Sequence, residues 1–357
     1  MAINCQIVYH SGNCLNTKKA YAKSCRICVD VCPHQAISDE RHIDAQRCTE
    51  CGVCVASCPS DGLTDNGADV LEDYLFQPDA EIILNCPQAE RLGLEIPCLG
   101  ILDRDSWSTL FLLADAKRVT IVTGRCADCS DREACAAAVR TFNCLHAEWP
   151  QHPPVKILVA PDSGPSSGES SRSGAAAGGA QIPQPAGSQG RQLRRTAGLR
   201  QWGRQAIVAL LPGLRAEETY PVPRTRQWLQ QALGARPDQR VPFRALAVKP
   251  SCTSCGVCAA ICPQGALAQR EDEGELTLVF EPFKCVQCER CTETCPAQAL
   301  TLEVKWLSAK LLNGKIRLHT GRPRVCSRCG RQLFDNSEPA LCMVCLNGQR
   351  DRRDDFL

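Results

Sequence analysis

The chain has 357 residues, and its 41 Lys plus Arg against 39 Asp plus Glu leave a formal net charge of only +2. That balance lacks the basic excess of a general nucleic-acid binder, and no apolar run approaches the roughly 18 residues of a membrane-crossing helix. Twenty-seven cysteines stand beside only 5% aromatic residues, so ordinary core-formers are thin and bound metal is expected to replace part of the apolar core.

Most of the cysteines stand two residues apart, a spacing suited to metal ligation, and Met1 to Asn13 shows no basic stretch ahead of an apolar one. Reduced thiolates in a cytoplasmic protein are therefore expected rather than a disulfide framework. Residues 1–67 form the first cysteine-dense unit. Cys48, Cys51, Cys54 and Cys58-Pro59 complete the run Cys-x2-Cys-x2-Cys-x3-Cys-Pro, in which three cysteines wrap one cubane cluster and the fourth reaches a neighbouring one. The preceding half reads Ala22, Cys25, Cys28, Cys32-Pro33, with alanine where the first ligand belongs. Crossed pairing gives one cluster on Cys48, Cys51, Cys54 and Cys32. A second takes Cys25, Cys28 and Cys58 and lacks one thiolate. Cys14, eleven residues upstream of Cys25, is preferred as the replacement over Cys5. His10 is a third candidate, and a site that keeps only three ligands is a fourth.

In residues 68–160 the runs Ala80-Glu-Ile-Ile-Leu-Asn-Cys86 and Arg118-Val-Thr-Ile-Val-Thr123 are short, rich in β-branched residues and bounded by polar or turn residues. They are expected as buried strands of a small α/β module, with a helix over Ser106 to Ala116 between them. The stretches Ile96-Pro-Cys98-Leu-Gly-Ile-Leu-Asp103, Ala114-Asp-Ala-Lys-Arg-Val119 and Thr123-Gly-Arg-Cys126-Ala-Asp-Cys129 resemble the small iron-sulfur delta subunit that joins hydrogenases to heterodisulfide reductases. That resemblance implies Cys86, Cys98, Cys126 and Cys129 as the matching cysteines, for a [2Fe-2S] cluster or a redox dithiol. It departs from the family at Cys86-Pro87, where the family has paired cysteines. The residues by themselves equally fit strand-end cysteines of a packed domain without cofactor. Cys135 and Cys144 carry no motif.

Residues 161–199 contain the Ser, Gly, Ala and Pro-rich stretch Ser163 to Gly190, expected as a flexible linker on which the C-terminal half swings or docks separately. Residues 200–246 are expected as a partly helical connector, with a helix over Arg224 to Leu233. In residues 247–305 the run Cys252, Cys255, Cys258, Cys262-Pro263 is followed by Cys285, Cys288, Cys291, Cys295-Pro296. This block resembles the bacterial two-cluster ferredoxin family over its whole length, down to the Cys-Pro-x-x-Ala-Leu endings. The resemblance implies one [4Fe-4S] cluster on Cys252, Cys255, Cys258 and Cys295, and another on Cys285, Cys288, Cys291 and Cys262. Residues 25–58 repeat the block, so about four cubanes are expected in all. The tail, residues 320–350, pairs Cys326 and Cys329 with Cys342 and Cys345. Tetrahedral sulfur suits zinc in a ribbon, the preferred reading, or a single iron.

The expected fold is α+β: two ferredoxin-like two-cluster units, an α/β module between them and a zinc-ribbon-like tail. No HExxH, GxSxG or Walker run is present. The expectation is an electron-transfer protein of anaerobic metabolism. It would serve a catalytic oxidoreductase partner (a hydrogenase, dehydrogenase or reductase), with no nucleic-acid partner and no direct membrane insertion. A second reading is a redox enzyme subunit of the heterodisulfide reductase or hydrogenase type, with a cysteine-based site in the middle module. A third is a cluster-assembly scaffold.

Overall fold

Backbone pairing follows the residue types closely: β-branched runs become strands, and the cysteine-rich stretches, broken by Gly and Pro, become single helical turns. The computed structural model describes residues 6–19, 21–150, 155–159, 220–234, 236–334, 339–342 and 344–345. β1 (Ile7–Tyr9) pairs antiparallel with β2 (Leu63–Asp65), closing the first cysteine-rich segment on itself. Between them lie three short helices, α1 (Leu15–Lys18), α2 (Ile27–Asp30) and α3 (Val53–Ser57).

α4 (Ala68–Phe76) leads into the strands β3 (Glu81–Asn85), β4 (Leu94–Glu95), β5 (Arg118–Thr123) and β6 (Lys156–Val159). These form one parallel sheet in the order β4-β3-β5-β6. Ile82, Leu84 and Ile121 are fully buried, as parallel strands covered on both faces require. The two apolar runs singled out in the sequence are β3 and β5. The helix between them is α5 (Arg104–Leu113), which starts two residues before the expected Ser106 because the Asp103 carboxylate caps it, accepting from the Ser106 N–H. α6 (Arg132–Glu148) follows β5.

The linker Ser163 to Gly190 and residues 200–219 of the connector lie outside the described residues. α7 (Arg224–Leu233) occupies the span expected to be helical. β7 (Arg240–Val248) then pairs along its nine residues with β10 (Leu300–Ser308), so this ladder crosses both edges of the 247–305 segment. Inside it lie α8 (Val257–Ile261), β8 (Leu267–Asp272), β9 (Glu275–Phe280) and α9 (Arg290–Glu293). β8, β9 and β11 (Ile316–Gly321) form a three-stranded antiparallel sheet. The hairpin β12 (Pro323–Val325) and β13 (Gln332–Phe334) carries the tail.

One apolar core runs from Val53 through Leu84, Trp107 and Leu110 to Leu229, Phe243 and Phe280. Polar contacts bind the same seam. Arg226 of α7 is buried, holds Asp105 Oδ2 at 2.8 and 2.9 Å, donates to the Cys285 carbonyl and lies 5.1 Å above the Phe243 ring. Arg290 donates to the carbonyls of Leu15 at 2.9 Å and Lys19 at 3.1 Å, and Lys18 reaches the Gln264 amide oxygen. The described residues before and after the linker thus form one compact unit. This corrects the expectation of a C-terminal half that swings separately: with a shared core and buried ion pair, separation would expose apolar surface and leave charges without partners. Among the described residues no helix is long and apolar enough to cross a membrane.

Burial and the neighbouring Asp105 charge push Asp103 up to about 6, so the region already carries more negative charge than it solvates well. Replacing Arg226 by Met leaves Asp105 buried without its cation and is expected to lower the unfolding free energy by about 3–5 kcal/mol. The Arg226→Met/Asp105→Asn double variant is expected to recover most of that loss. Denaturant titration of the anaerobic holoprotein measures both, and equal midpoints for wild type and Arg226→Met would remove the ion pair from this role.

Candidate metal centres

All four Cys-Pro turns are built alike. Three residues after Cys32, Cys58, Cys262 and Cys295 stand Gln35, Asp61, Gly265 and Gln298, each left-handed, with φ between 48° and 64°. That reversal turns the next backbone N–H onto the cysteine sulfur: Ala36 to Cys32 at 3.3 Å, Gly62 to Cys58 at 3.1 Å, Ala266 to Cys262 at 3.2 Å and Ala299 to Cys295 at 3.3 Å. An N–H aimed at sulfur favours the thiolate and is one of the levers that set a cluster's potential.

The three complete Cys-x2-Cys-x2-Cys loops also share a backbone. The residue before the middle cysteine (Glu50, Ser254, Gln287) and the one after it (Gly52, Gly256, Glu289) all have positive φ. Cys32, Cys48, Cys51 and Cys54 line one cavity, together with Ile7, Ile37 and Val53. Cys262, Cys285, Cys288 and Cys291 line another, walled by Leu246, Phe280 and Leu302. Cys258 has Cys255, Cys252 and Cys295 as its near charges. Each set brought together is one that crossed pairing groups. Burial pushes the thiols of Cys258 and Cys285 up to about 12 and raises those of Cys54 and Cys291 as well. Such crowded sulfurs become thiolates only with a cation among them, so loading a metal would release protons. The hydroxyls of Thr253 and Ser254 are buried beside Cys252 and Cys255 with no hydrogen-bond partner in the structure. Four convergent sulfurs, apolar walls and spare donors fit a cubane.

The defective half differs in its backbone. Arg26, which follows Cys25, has φ −122° and begins α2 without the left-handed step of the other loops. Its surroundings bring in α1 instead. The Asn16 side chain brackets Cys25, donating to its carbonyl at 3.0 Å and accepting from its N–H at 2.7 Å. Cys14, at the start of α1, is buried. A methyl on Gly62 would meet the Cys14 Cα at 3.1 Å and the Cys58 sulfur at 3.4 Å, so the Cys14 backbone and the Cys58 sulfur lie beside the same glycine. Burial and a hydrogen bond with Cys14 push Tyr9 up to about 12, and burial brings Lys18, which sits near Asp61, Cys58 and Cys14, down to about 8. The His10 ring is engaged elsewhere, 2.8 Å from the Thr64 hydroxyl. Cys5 lies outside the described residues.

In the tail the sulfurs of Cys326, Cys329, Cys342 and Cys345 all lie within 4.8 Å of one another. The Cys342 N–H donates to the Cys326 sulfur at 3.3 Å and, as the chief cause, holds that thiol down to about 6. The four-sulfur group fits one tetrahedral ion. In the middle module Cys126 Sγ lies 3.3 Å from Cys135 Sγ, whereas the Cys129 sulfur accepts from the Asp131 N–H at 3.4 Å. The resemblance points to Cys129, and the fold brings Cys135 to Cys126 in its place. No sequence motif marks Cys135; only the packing of α6 against the end of β5 does. Asp131 joins this module to the first unit, accepting from the Thr49 hydroxyl at 2.7 Å and lying 2.8 Å from His34 Nε2.

A family model described as a 4Fe-4S dicluster domain matches residues 251–299, and one described as a 4Fe-4S binding domain matches residues 41–64. An uncharacterized ferredoxin of Methanocaldococcus jannaschii is 30% identical over 56 residues, which are 16% of this chain and 73% of that relative.

Gly52 and Gly256 occupy equivalent left-handed positions with unequal surroundings. A methyl on Gly52 would stand 2.7 Å from Ile101 Cβ and Cγ1 in the packed core, whereas one on Gly256 would meet only the end of the Gln269 side chain, at 2.5 Å. Gly256→Ala is expected to cost about 1–2 kcal/mol, the left-handed backbone alone. Gly52→Ala should cost about 1–3 kcal/mol more for overpacking. Thermal melts of the two anaerobic variants give the comparison, and equal losses would count against the Ile101 contact.

Proposed function

This chain belongs to the ferredoxin family, and we propose that it relays electrons between a separate donor and a catalytic oxidoreductase partner through four cubane clusters. The clusters would sit on Cys32, Cys48, Cys51 and Cys54; on Cys14, Cys25, Cys28 and Cys58; on Cys252, Cys255, Cys258 and Cys295; and on Cys262, Cys285, Cys288 and Cys291. A cubane supplies one-electron exchange without bond making at a substrate. The chain's own residues hold the iron, exclude water with apolar walls and set the charge around it.

The observation that carries the reading is the contiguity of the cysteine sets. Cys28 is a near charge to Cys54, which joins the two N-terminal sites, and Cys258 is a near charge to Cys291, which joins the two C-terminal ones. Lys18, beside Cys58 and Cys14, reaches Gln264, two residues from Cys262, so the pairs meet across the seam. A redox unit that spans its own core in this way needs no organic substrate. The tail would hold zinc on Cys326, Cys329, Cys342 and Cys345 as a redox-silent brace.

Anaerobically reconstituted protein is expected to contain about sixteen cubane irons with as many acid-labile sulfides, to accept electrons from a strong reductant and to pass them to a dye. A content near eight would defeat the four-cluster reading, and unaided turnover of a disulfide substrate would favour an enzyme. Cys14→Ser is expected to change or remove one of the four cubane EPR signals and spare the other three. The same loss from Cys5→Ser, with Cys14→Ser silent, would reassign the ligand.

A further inference from the structure

The stretch from Leu15 to Lys23 stands where a first ligand loop would lie, with Ala22 in place of a cysteine, and its side chains turn to the C-terminal half instead. The Tyr21 hydroxyl and the Lys23 ammonium donate to Glu293 Oε2 at 2.5 and 2.9 Å, and Lys19 donates to the carbonyls of Cys262 at 2.5 Å and Ala260 at 3.2 Å. Two cations of this junction are crossed. Lys18 belongs to α1 and lies near Cys58 and Cys14, but its ammonium donates across the seam to Gln264 and sits 4.2 Å above the Tyr220 ring. Arg290 belongs to α9 and lies near Cys288, but its guanidinium donates across the seam to the carbonyls of Leu15 and Lys19 and lies 4.6 Å above the Tyr21 ring. Both are buried. Amide oxygens and rings are neutral partners, so these contacts orient the two cations without cancelling their charge.

Both cysteine sets that flank the seam are rich in cations. Arg41 donates to the Cys25 carbonyl and is a near charge of Cys28. Asp61, the carboxylate beside Lys18, has Arg224 and Arg226 about it as well. Arg226 is also a near charge of Cys285. Around Cys32, Cys48, Cys51 and Cys54 the balance is reversed, with Asp131 near Cys48 and Cys51 and Glu50 near Cys48. His34 lies 2.8 Å from the Asp131 carboxylate, and even as a cation it would bring that pair only to neutrality. Glu289, which answers to Glu50 in the C-terminal loop, is paired with Arg244 at 3.2 Å. Reduction adds one negative charge to an already anionic cluster, so a buried cation raises its potential and a carboxylate lowers it.

We propose that Lys18 and Arg290 are positioning residues that hold the two seam clusters, on Cys14, Cys25, Cys28 and Cys58 and on Cys262, Cys285, Cys288 and Cys291, above the cluster on Cys32, Cys48, Cys51 and Cys54 in potential. This order rests on the relay reading and gives it a direction within the N-terminal unit. One electron leaves the reduced cluster beside Asp131, which is oxidised, and reduces the cluster beside Lys18; no bond breaks and no proton moves. The electron then stands at the seam, where each cluster's cation is held by the backbone or side chains of the other half.

The test is a redox titration at pH 7 of the full chain, reconstituted anaerobically and followed by EPR. Cys28→Ser, Cys288→Ser and Cys48→Ser mark the three clusters by the signal each one lacks. In wild type the signals marked by Cys28 and Cys288 are expected to appear at higher potential than the one marked by Cys48. Lys18→Met is expected to shift the reduction equilibrium of the Cys28-marked cluster about tenfold toward the oxidised form, a midpoint lower by about 59 mV for one electron. Lys18→Arg should keep the wild-type midpoint. Arg290→Met should act likewise on the Cys288-marked cluster, and Asp131→Asn should raise the Cys48-marked one. Equal shifts in Lys18→Met and Lys18→Arg would reduce Lys18 to packing and overturn its role. Should the Met variants fail to fold, wild type and Asp131→Asn decide: a Cys48-marked cluster that is reduced first, or that ignores Asp131→Asn, overturns the proposal. An iron content of about eight would strike the relay reading and this inference with it, whereas full iron with the order reversed would overturn this inference alone.

Discussion

Buried thiolate charge is the constraint from which the rest of this molecule follows. A sulfur in an apolar pocket resists ionisation, and here neighbouring thiols in the same pocket make ionisation harder still. The chain meets this cost with backbone. At each Cys-Pro turn a left-handed residue rotates one N–H onto the sulfur, and at each complete loop two more left-handed residues wrap the remaining cysteines about a common centre. Metal-sulfur bonds formed in such pockets would contribute to folding alongside the apolar core.

Packing then determines how the pockets communicate. Arg226, Arg290 and Lys18 cross the seam between the two halves, and each meets a group next to a cysteine set: the Cys285 carbonyl, the carbonyls flanking α1, and Gln264 beside Cys262. These cations would offset the negative charge of thiolates in the sets they adjoin. The α/β module is drawn into the same framework by Ile101, packed under Gly52, and by Asp131, bonded to Thr49 and His34. It forms part of the wall of the first unit and shares its core.

The sequence by itself determined the iron-sulfur character of the two ferredoxin-type blocks and the local geometry of their loops. Spacings such as Cys48-x2-Cys51-x2-Cys54-x3-Cys58-Pro59 carry their loop with them, because three thiols two residues apart can wrap only one small object and proline must turn the fourth away. The strands β3 and β5 and the helix α7 were legible for a similar reason, since their periodicity and length are local properties. Tertiary structure alone decided what depends on contacts between distant segments. Cys135 carries no motif and meets Cys126 because α6 packs across the end of β5. The Cys14 backbone comes up beside Cys58 because Asn16 clasps Cys25 and Gly62 leaves room. The union of the two halves draws in part on Arg226 and Asp105, 121 residues apart, whose buried pairing has no trace in any window of sequence.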